Sequence, residues 1–488
     1  MYYIDSFLNK ITMYRLLFQG LAIVAIATIA LSYLGYVAQE GTALLISLGI
    51  LFVVAYLTDI FFAKVLGVTR NIESVFITVL ILFFLLVPAI QISDAVTLVI
   101  GAFLAISSKY LFVVGKRHIF NPAAFAAAVL SLAGTGAVVW WVGTPYLFPL
   151  VAILGLLIVR KVRRFDLFLT FVLTSIAVSV ASVLSDGGSL AGLFSNIFFS
   201  GPLLFMGTIM LTEPLTAPRM KKHRIIYAFI VGVLFSIPFD LGPLYVSPAL
   251  ALIIGNLHTF FVSNTQRLTL IFKEKIQLAP TLFEFVFEPS EALTFSAGQY
   301  LEWTLGHTKP DARGNRRYFT IASAPGEETI RLGVRISTPS SSFKSALINL
   351  APGDSISATA LGGEFILPKD LQTKIVCIAG GIGITPYISM LRDMERKGEK
   401  RNMTILYFAA SDADFAYLDV LNRASEHGVT ILPLVGRITK EILQPHLSDT
   451  DSLVYISGPD GLVRTTKDIV RDIGVPASRV KTDYFPGL

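Results

Sequence analysis

Cysteine is almost missing from this chain: among 488 residues there is one, Cys377. A single thiol excludes an internal disulfide and any cysteine-held iron–sulfur cluster, which takes about four thiolates. Its place in the apolar run Ile-Val-Cys-Ile-Ala-Gly-Gly predicts a buried strand residue rather than a reactive thiol. Histidine is nearly as scarce, with six in all: His118, His223, His258, His307, His427 and His446. Only His258 falls inside an apolar stretch, so the paired axial histidines of two stacked haems cannot be assembled. No metal site is expected, and any electron carrier in the apolar half is expected to be a flavin.

Charge is the third shortage. Charged residues make up 15% of the chain against 53% hydrophobic, where a soluble protein carries about 25% charged. The mean hydropathy of +0.67 points the same way, to a membrane protein. The shortage is uneven. Up to about residue 264 the sequence is a series of apolar stretches with short breaks, and beyond it reads as ordinary soluble α/β protein. The net charge of +6 does not imply nucleic acid, because the basic residues sit mainly in short loops between apolar stretches. The N-terminal segment, residues 1–15, lacks a small-residue cleavage site and is expected to be a retained cytoplasmic tail.

Crossing ~30 Å of hydrocarbon takes about 20 mainly apolar residues. Stretches near 14–36, 43–63, 74–91, 95–114, 121–142, 146–159, 167–184, 193–211, 225–239 and 245–263 predict a polytopic α-helical membrane domain of about ten spans. The stretch 146–159 is short and contains Pro149, so a tilted or re-entrant segment is also open. The breaks at 37–42, 92–94, 143–145, 185–192 and 240–244 contain no Lys or Arg. The alternate breaks carry Lys64 and Arg70; Lys116 and Arg117; Arg160, Lys161, Arg163 and Arg164; and Arg219, Lys221, Lys222 and Arg224. Such alternation is the positive-inside pattern of a multi-pass protein of the cytoplasmic membrane with both termini in the cytoplasm. Asp59 and Lys109 stand out within the spans. They read either as interfacial and snorkelling groups, or as an ion pair beside a cofactor or ion path.

Two apolar-half stretches carry a family resemblance. Residues 101–129 contain an Asn121-Pro122-Ala turn, and residues 205–230 contain Thr212-Glu213-Pro214. Both are similar to the RnfD/NqrB membrane subunits, with Glu213 in place of the usual Asp; the ten-span pattern and the stretch 73–88 also fit. Asn121 and Pro122 have a local reading too, as N-cap and first residue of a helix. The resemblance implies a second flavin, FMN or riboflavin, or a quinone, near Asn121, Pro122, Thr144, Thr212 and Glu213. In that family FMN is esterified to a threonine in a Ser-Gly-Ala-Thr context. Here Thr144 sits in Val-Gly-Thr-Pro, so the full motif is absent.

The soluble half changes pattern once. Residues 265–370 show short alternating strands with Pro and Gly turns, predicting a small antiparallel β-barrel. Residues 371–488 alternate strand and helix, predicting a parallel α/β nucleotide-binding domain. Its opening turn, Gly380-Gly381-Ile-Gly383-Ile-Thr385-Pro386, follows a buried strand and precedes a helix. Glycines there let backbone approach a pyrophosphate, and the helix start supplies free N–H groups.

Five pieces of this half, in order, resemble the ferredoxin–NAD(P)H reductase superfamily: Arg316–Pro325, the Ser340–Lys344 run, Gly362-Gly363-Glu-Phe, Ser457-Gly458-Pro459 and the terminal Asp-Tyr-Phe-Pro-Gly-Leu. The resemblance implies FAD, with NADH or NADPH as substrate. By it Arg317, Ser341 and Ser342 would meet the FAD phosphates, Tyr318 and Phe319 would flank the site, Val334 would line it, and Thr320 would bond the ring. Gly380, Gly381, Gly383, Thr385 and Pro386 would hold the nicotinamide nucleotide; Ser457, Gly458 and Pro459 would form its nicotinamide turn; Phe485 would shield the flavin. Thr320 and Ser457 are the expected catalytic pair. After the strand 403–410 stand Ser411-Asp412-Ala413-Asp414, whose carboxylates would repel a 2′-phosphate, favouring NADH.

The expectation is an FAD-dependent NAD(P)H oxidoreductase passing electrons into the bilayer domain, toward a quinone or an extracytoplasmic flavoprotein. Two rivals are a redox-driven cation-pump component and a reductase on an inert membrane anchor.

Overall fold

The computed structural model of the chain describes residues 2–485 apart from 69, 115–116, 238–239, 242–243, 246, 263–266, 312 and 448–450. Lys116 and the terminal Pro486, Gly487 and Leu488 lie outside the described residues. The chain divides into two compact units, Met1–Thr265 and Gln266–Leu488.

The first unit is helical. In chain order it runs through α1 (Tyr2–Lys10), α2 (Met13–Tyr33), α3 (Gly41–Leu66), α4 (Ile72–Leu85), α5 (Ile92–Leu111), α6 (Pro122–Leu132), α7 (Phe148–Val162), α8 (Phe165–Ser185), a broken segment over 193–210, α9 (Lys221–Ser236) and α10 (Pro248–Val262). Four of these, α2, α3, α5 and α8, are long and apolar enough to cross a membrane. The remaining expected spans form shorter pieces, for identifiable reasons. Helix α4 starts on an Asn71 cap and stops at Leu85, where the chain turns extended before Pro88; its 14 residues reach only ~21 Å. Helix α6 ends at Leu132, ahead of Gly134 and Gly136, both with positive φ. The segment 193–210 breaks at Gly201-Pro202, with a π-helical turn on each side. Pro149 lies in the first turn of α7, where its missing N–H costs nothing, rather than inside the helix.

The packing order of the first unit repeats. Helix α3 packs on α5 and α5 on α6; likewise α8 packs on α9 and α9 on α10. The pairs α2–α7 and α6–α10 join the two halves. Helices α6 and α10 even begin alike, each on a proline preceded by a side-chain cap: Asn121 Oδ1 accepts from Ala124 N (3.0 Å) and Ser247 Oγ from Leu250 N (3.2 Å). The backbone beyond α4 is extended yet satisfied, because Val87 N donates to Ala137 O and Val139 N to Leu85 O.

The second unit has two lobes. The first is a six-stranded antiparallel sheet of β1 (Leu268–Ala279), β2 (Leu282–Pro289), β3 (Tyr300–Thr304), β4 (Arg316–Thr320), β5 (Ile330–Arg335) and β6 (Ser355–Gly362), in the order β4-β3-β6-β1-β2-β5. Phe272, Phe285, Phe287 and Trp303 fill its interior. The end strands approach where Ala322 N donates to Arg331 O (2.8 Å). Between β5 and β6 lies the short helix α11 (Ser342–Ile348), capped by Ser341.

The second lobe is a five-stranded parallel sheet of β7 (Ile375–Gly380), β8 (Met403–Ala409), β9 (Val429–Val435), β10 (Leu453–Pro459) and β11 (Val480–Phe485), in the order β9-β8-β7-β10-β11. All six residues of β7 are buried, as a strand covered on both faces requires. Cys377 is among them. Strand β7 sits between β8 and β10, so chain order reverses there and opens a crevice at the strands' C-terminal ends.

Candidate functional site

The crevice is lined by two chain segments that only glycine lets meet. A Cβ on Gly383 would lie 2.5 Å from Ser457 O and 2.6 Å from Gly458 Cα, both backbone atoms. Gly381 adopts φ 53°, in the left-handed region. After this turn α12 (Thr385–Lys397) begins, with Pro386 in its first turn and Thr385 Oγ1 donating to Ile382 O (3.0 Å). The first lobe reaches the same place. A Cβ on Gly333 of β5 would meet Thr385 Cγ2 and Tyr417 Oη at 2.5 Å, and one on Gly381 would lie 3.9 Å from Arg335 Nη1. Val334, between those contacts, is buried.

Both hydroxyls of the expected catalytic pair are left over. Thr320 Oγ1, at the end of β4, and Ser457 Oγ, near the end of β10, are buried without a hydrogen-bond partner. Buried hydroxyls are seldom left unpaired, and such an orphan suits a site that a ligand completes. Ser340 Oγ is also unpaired, as are Thr281 Oγ1, Tyr417 Oη, Ser452 Oγ and Thr466 Oγ1 of the same unit. Phe319 packs 5.8 Å from the Phe343 ring and its carbonyl accepts from Trp303 Nε1 (3.3 Å). Tyr318 points outward, edge-on to Tyr300. Pro459 pairs with Phe485 in the parallel sheet; the Phe485 side chain lies outside the described residues.

Arg317 is held by a loop that the sequence did not single out. Its Nη2 meets Asp311 Oδ1 and Oδ2 at 3.1 and 3.3 Å, and its Nη1 donates to the carbonyls of Arg313, Gly314 and Arg316. Asp311 also accepts from Ser342 N (3.3 Å), while its own N–H donates to Ser342 Oγ (2.9 Å), which His307 Nε2 touches at 3.0 Å. Ser341 Oγ caps Lys344 N (3.4 Å). Partial burial pushes the Asp311 carboxyl up, but the Arg313 amide and the Arg317 and Arg313 guanidiniums outweigh it and hold it below its ordinary range. Burial, then Arg313, Arg317 and Arg335, pushes Lys344 down to about 8. Arg313 and Arg317 thus flank the Asp311 carboxylate, and with Arg335 they lie close enough to Lys344 to lower it, a cluster of cations that fits a polyanion.

Glu284, Arg392 and Tyr417 were also missed. Glu284 is a buried carboxylate inside the apolar strand β2, paired with Arg331 (2.8 Å) and Arg392 (3.1 Å). The signal was a lone acid in Leu-Phe-Glu-Phe-Val-Phe. Asp412 and Asp414 form an exposed turn after β8, where Ser411 Oγ donates to Asp414 Oδ2 (2.8 Å).

In the helical unit, Asn121 and Glu213 come together. Glu213 Oε2 accepts from Asn121 Nδ2 (2.8 Å) and Thr216 Oγ1 (3.0 Å), and Asn121 N donates to Asn256 Oδ1 (2.9 Å). Asn256 Nδ2 donates onward to Tyr227 Oη (3.2 Å). Thr212 is buried and bonds back to Thr208 O (2.6 Å). Pro122 simply opens α6. Thr144 instead lies in the turn leading into α7, its carbonyl accepting from Phe148 N. Of the two readings open for Asp59 and Lys109, the ion pair is not formed. Asp59 binds Arg70 (2.6 Å) and Tyr110 (2.5 Å), whereas Lys109 is buried, not snorkelling, on Ser74 O (2.7 Å).

Residues 377–468 match the family described as oxidoreductase NAD-binding domain, so the C-terminal lobe carries such a domain. Similar curated proteins include the flavohemoprotein of Bacillus thuringiensis subsp. konkukian (strain 97-27), 23% identical over 238 residues, covering 43% of this chain and 59% of that one. That of Bacillus subtilis (strain 168) is 26% identical over 232 residues, covering 44% and 57%. The chain therefore spans less than two thirds of the length of either relative. Among solved structures, the flavohem-like FAD/NAD-binding domain of nitric oxide dioxygenase from Vibrio cholerae O1 biovar El Tor is 20% identical, with a TM-score of 0.39, covering 46% of this chain and 99% of that one.

Proposed function

We propose that this protein is a membrane-embedded, FAD-dependent NAD(P)H oxidoreductase that passes electrons from NADH through FAD into its helical unit. The observation that carries the reading is the meeting of the two lobes at Gly333, Thr385 and Gly381, beside a glycine turn packed on Ser457-Gly458. Bound FAD would supply the redox chemistry, accepting one hydrogen with its electron pair from C4 of the dihydronicotinamide, which is left as the pyridinium. The protein's part is binding and orientation. Arg313, Arg317 and Lys344, with Ser341 and Ser342, would hold the FAD phosphates; Phe319 would flank the ring and the free Thr320 hydroxyl would bond it. Gly380, Gly381, Gly383 and the start of α12 at Thr385-Pro386 would hold the second nucleotide's pyrophosphate. Ser457, Gly458 and Pro459 would orient its nicotinamide, with Phe485 shielding the flavin. Asp412 and Asp414 favour NADH over NADPH.

The Lys344 environment gives a pH test. Phosphate binding favours the charged amine, so above about pH 8 binding must take up a proton. FAD affinity of the flavin-free protein, read by fluorescence quenching, should be flat below about pH 8 and fall above it. Lys344→Met should flatten that profile.

For the helical unit we infer a bilayer-spanning, RnfD/NqrB-like domain of about ten passes, some by short helices completed by buried extended backbone. Outward Ile26, Phe61, Leu173 and Phe261, all more than half exposed, support a lipid environment. A second flavin or a quinone near Asn121 and Glu213 would relay electrons to a quinone or an extracytoplasmic flavoprotein. The site lies where α6 meets α10, between the repeated halves, a usual place for membrane binding sites. Vesicles carrying the protein with its nucleotide site outward, fed NADH, should reduce ferricyanide trapped inside. Asn121→Leu and Glu213→Leu should slow that reaction while sparing ferricyanide reduction outside. One flavin per chain and an unreduced trapped acceptor, with and without added quinone, would leave a reductase on an inert anchor.

A further inference from the structure

Helix α12 begins at the glycine turn, yet its next turns are fastened to the other lobe. Ser389 Oγ donates to Ser323 O (2.7 Å), and Arg392 Nη1 donates to Ala322 O (2.8 Å) and Glu284 Oε1 (3.1 Å). Ser389 and Arg392 are one helical turn apart and share a face. Ala322 and Ser323 come two and three residues after Thr320, whose hydroxyl is free. The second oxygen of Glu284 takes Arg331 Nη1 (2.8 Å), and the Arg392 guanidinium lies over the Tyr417 ring at 5.6 Å. Tyr417 itself holds φ at 61°, and its hydroxyl abuts Gly333. One buried carboxylate, 2% exposed, therefore ties together β2, β5 and α12, and through Arg392 the Ala322–Ser323 backbone.

We propose that Glu284 and Arg392 are positioning residues that set the spacing of nicotinamide against flavin; this rests on the oxidoreductase reading above. Apolar contacts alone tolerate sliding between packed surfaces, whereas two directed hydrogen bonds from one side chain fix a register. Removing Glu284 strands the Arg392 guanidinium, and removing Arg392 leaves Glu284 on Arg331 alone with its second oxygen unpaired, so in either case the lobes would shift. A misplacement of about 1 Å is enough to cost on the order of 10²-fold in rate.

The test uses the full-length protein in detergent. Glu284→Gln and Arg392→Met should keep stoichiometric FAD and NADH affinity within about threefold, while the limiting rate of anaerobic flavin bleaching by NADH falls on the order of 10²-fold. At equilibrium, the long-wavelength charge-transfer absorbance of the reduced protein with NAD+ should weaken, and Arg392→Lys should restore part of it. Ser389→Ala removes one register bond without stranding a charge. It should slow bleaching about tenfold and stands in where the charge variants fail to fold. Unchanged limiting rate and charge-transfer band in Ser389→Ala, or in folded Glu284→Gln, would overturn the assignment. A wild-type protein that holds FAD but is bleached by neither NADH nor NADPH would instead overturn the oxidoreductase reading beneath it.

Discussion

Gly383→Ala is expected to leave FAD bound and to slow NADH-dependent flavin bleaching on the order of 10²-fold. The added methyl carbon would stand 2.5–2.6 Å from backbone atoms of Ser457 and Gly458. No side chain can swing away to relieve that contact, so one of the two segments must move by close to an ångström. The orphan Ser457 hydroxyl moves with it. A bleaching rate within threefold of wild type would show that the Gly380–Gly383 turn is not where the nicotinamide nucleotide sits. Gly381, by contrast, has no crowding neighbour closer than 3.9 Å, so a substitution there should act through its φ of 53° and cost less.

Arg317→Ala should lose FAD rather than hydride transfer. A charge-assisted phosphate contact contributes roughly 1.5–3 kcal/mol, so the dissociation constant should rise about 10- to 150-fold. The opposite effect is expected on the other side of the same ion pair. Asp311 holds the Arg317 guanidinium and the Ser342 amide, the groups assigned to phosphate, so Asp311→Asn should tighten FAD binding. Titration of flavin-free protein checks both. If Asp311→Asn and Arg317→Ala weakened FAD alike, the loop would be a scaffold of the site and not a competitor for it.

Much of the second unit was readable because its signals are local. A buried apolar run, a glycine turn and a helix start occupy consecutive residues from Ile375 to Lys397, and backbone sterics leave them few alternatives. The Asp311 loop was not readable, since its meaning depends on contacts 31 positions away at Ser342. The Glu284–Arg392 pair spans 108 positions. In the helical unit the error lay in what hydropathy measures. It counts apolar residues whether they coil or extend, so 74–91 and 121–142 read as full-length helices. Their ends, 86–91 and 133–142, are non-helical chain, bonded to each other and sealed by Trp141, whose Nε1 donates to Leu86 O (2.9 Å). The Asn121–Glu213 hydrogen bond joins two motifs 92 residues apart that the resemblance assigned to one site, though nothing in the sequence specified that they bond directly.

The lone thiol has a practical reach beyond the fold. Cys377 lies in the middle of β7, fully covered, and burial raises its pKa well above the ordinary value, so almost none of it is thiolate at neutral pH. Maleimides and other alkylating labels should therefore pass the native protein by. A cysteine introduced anywhere on the surface becomes the one addressable sulfur, with no background to subtract and no parent substitution to validate. Placed singly at Glu40, Ser93 or Ser189, and at Lys64 or Lys222, such tags would report from intact cells which ends of the helices face which compartment.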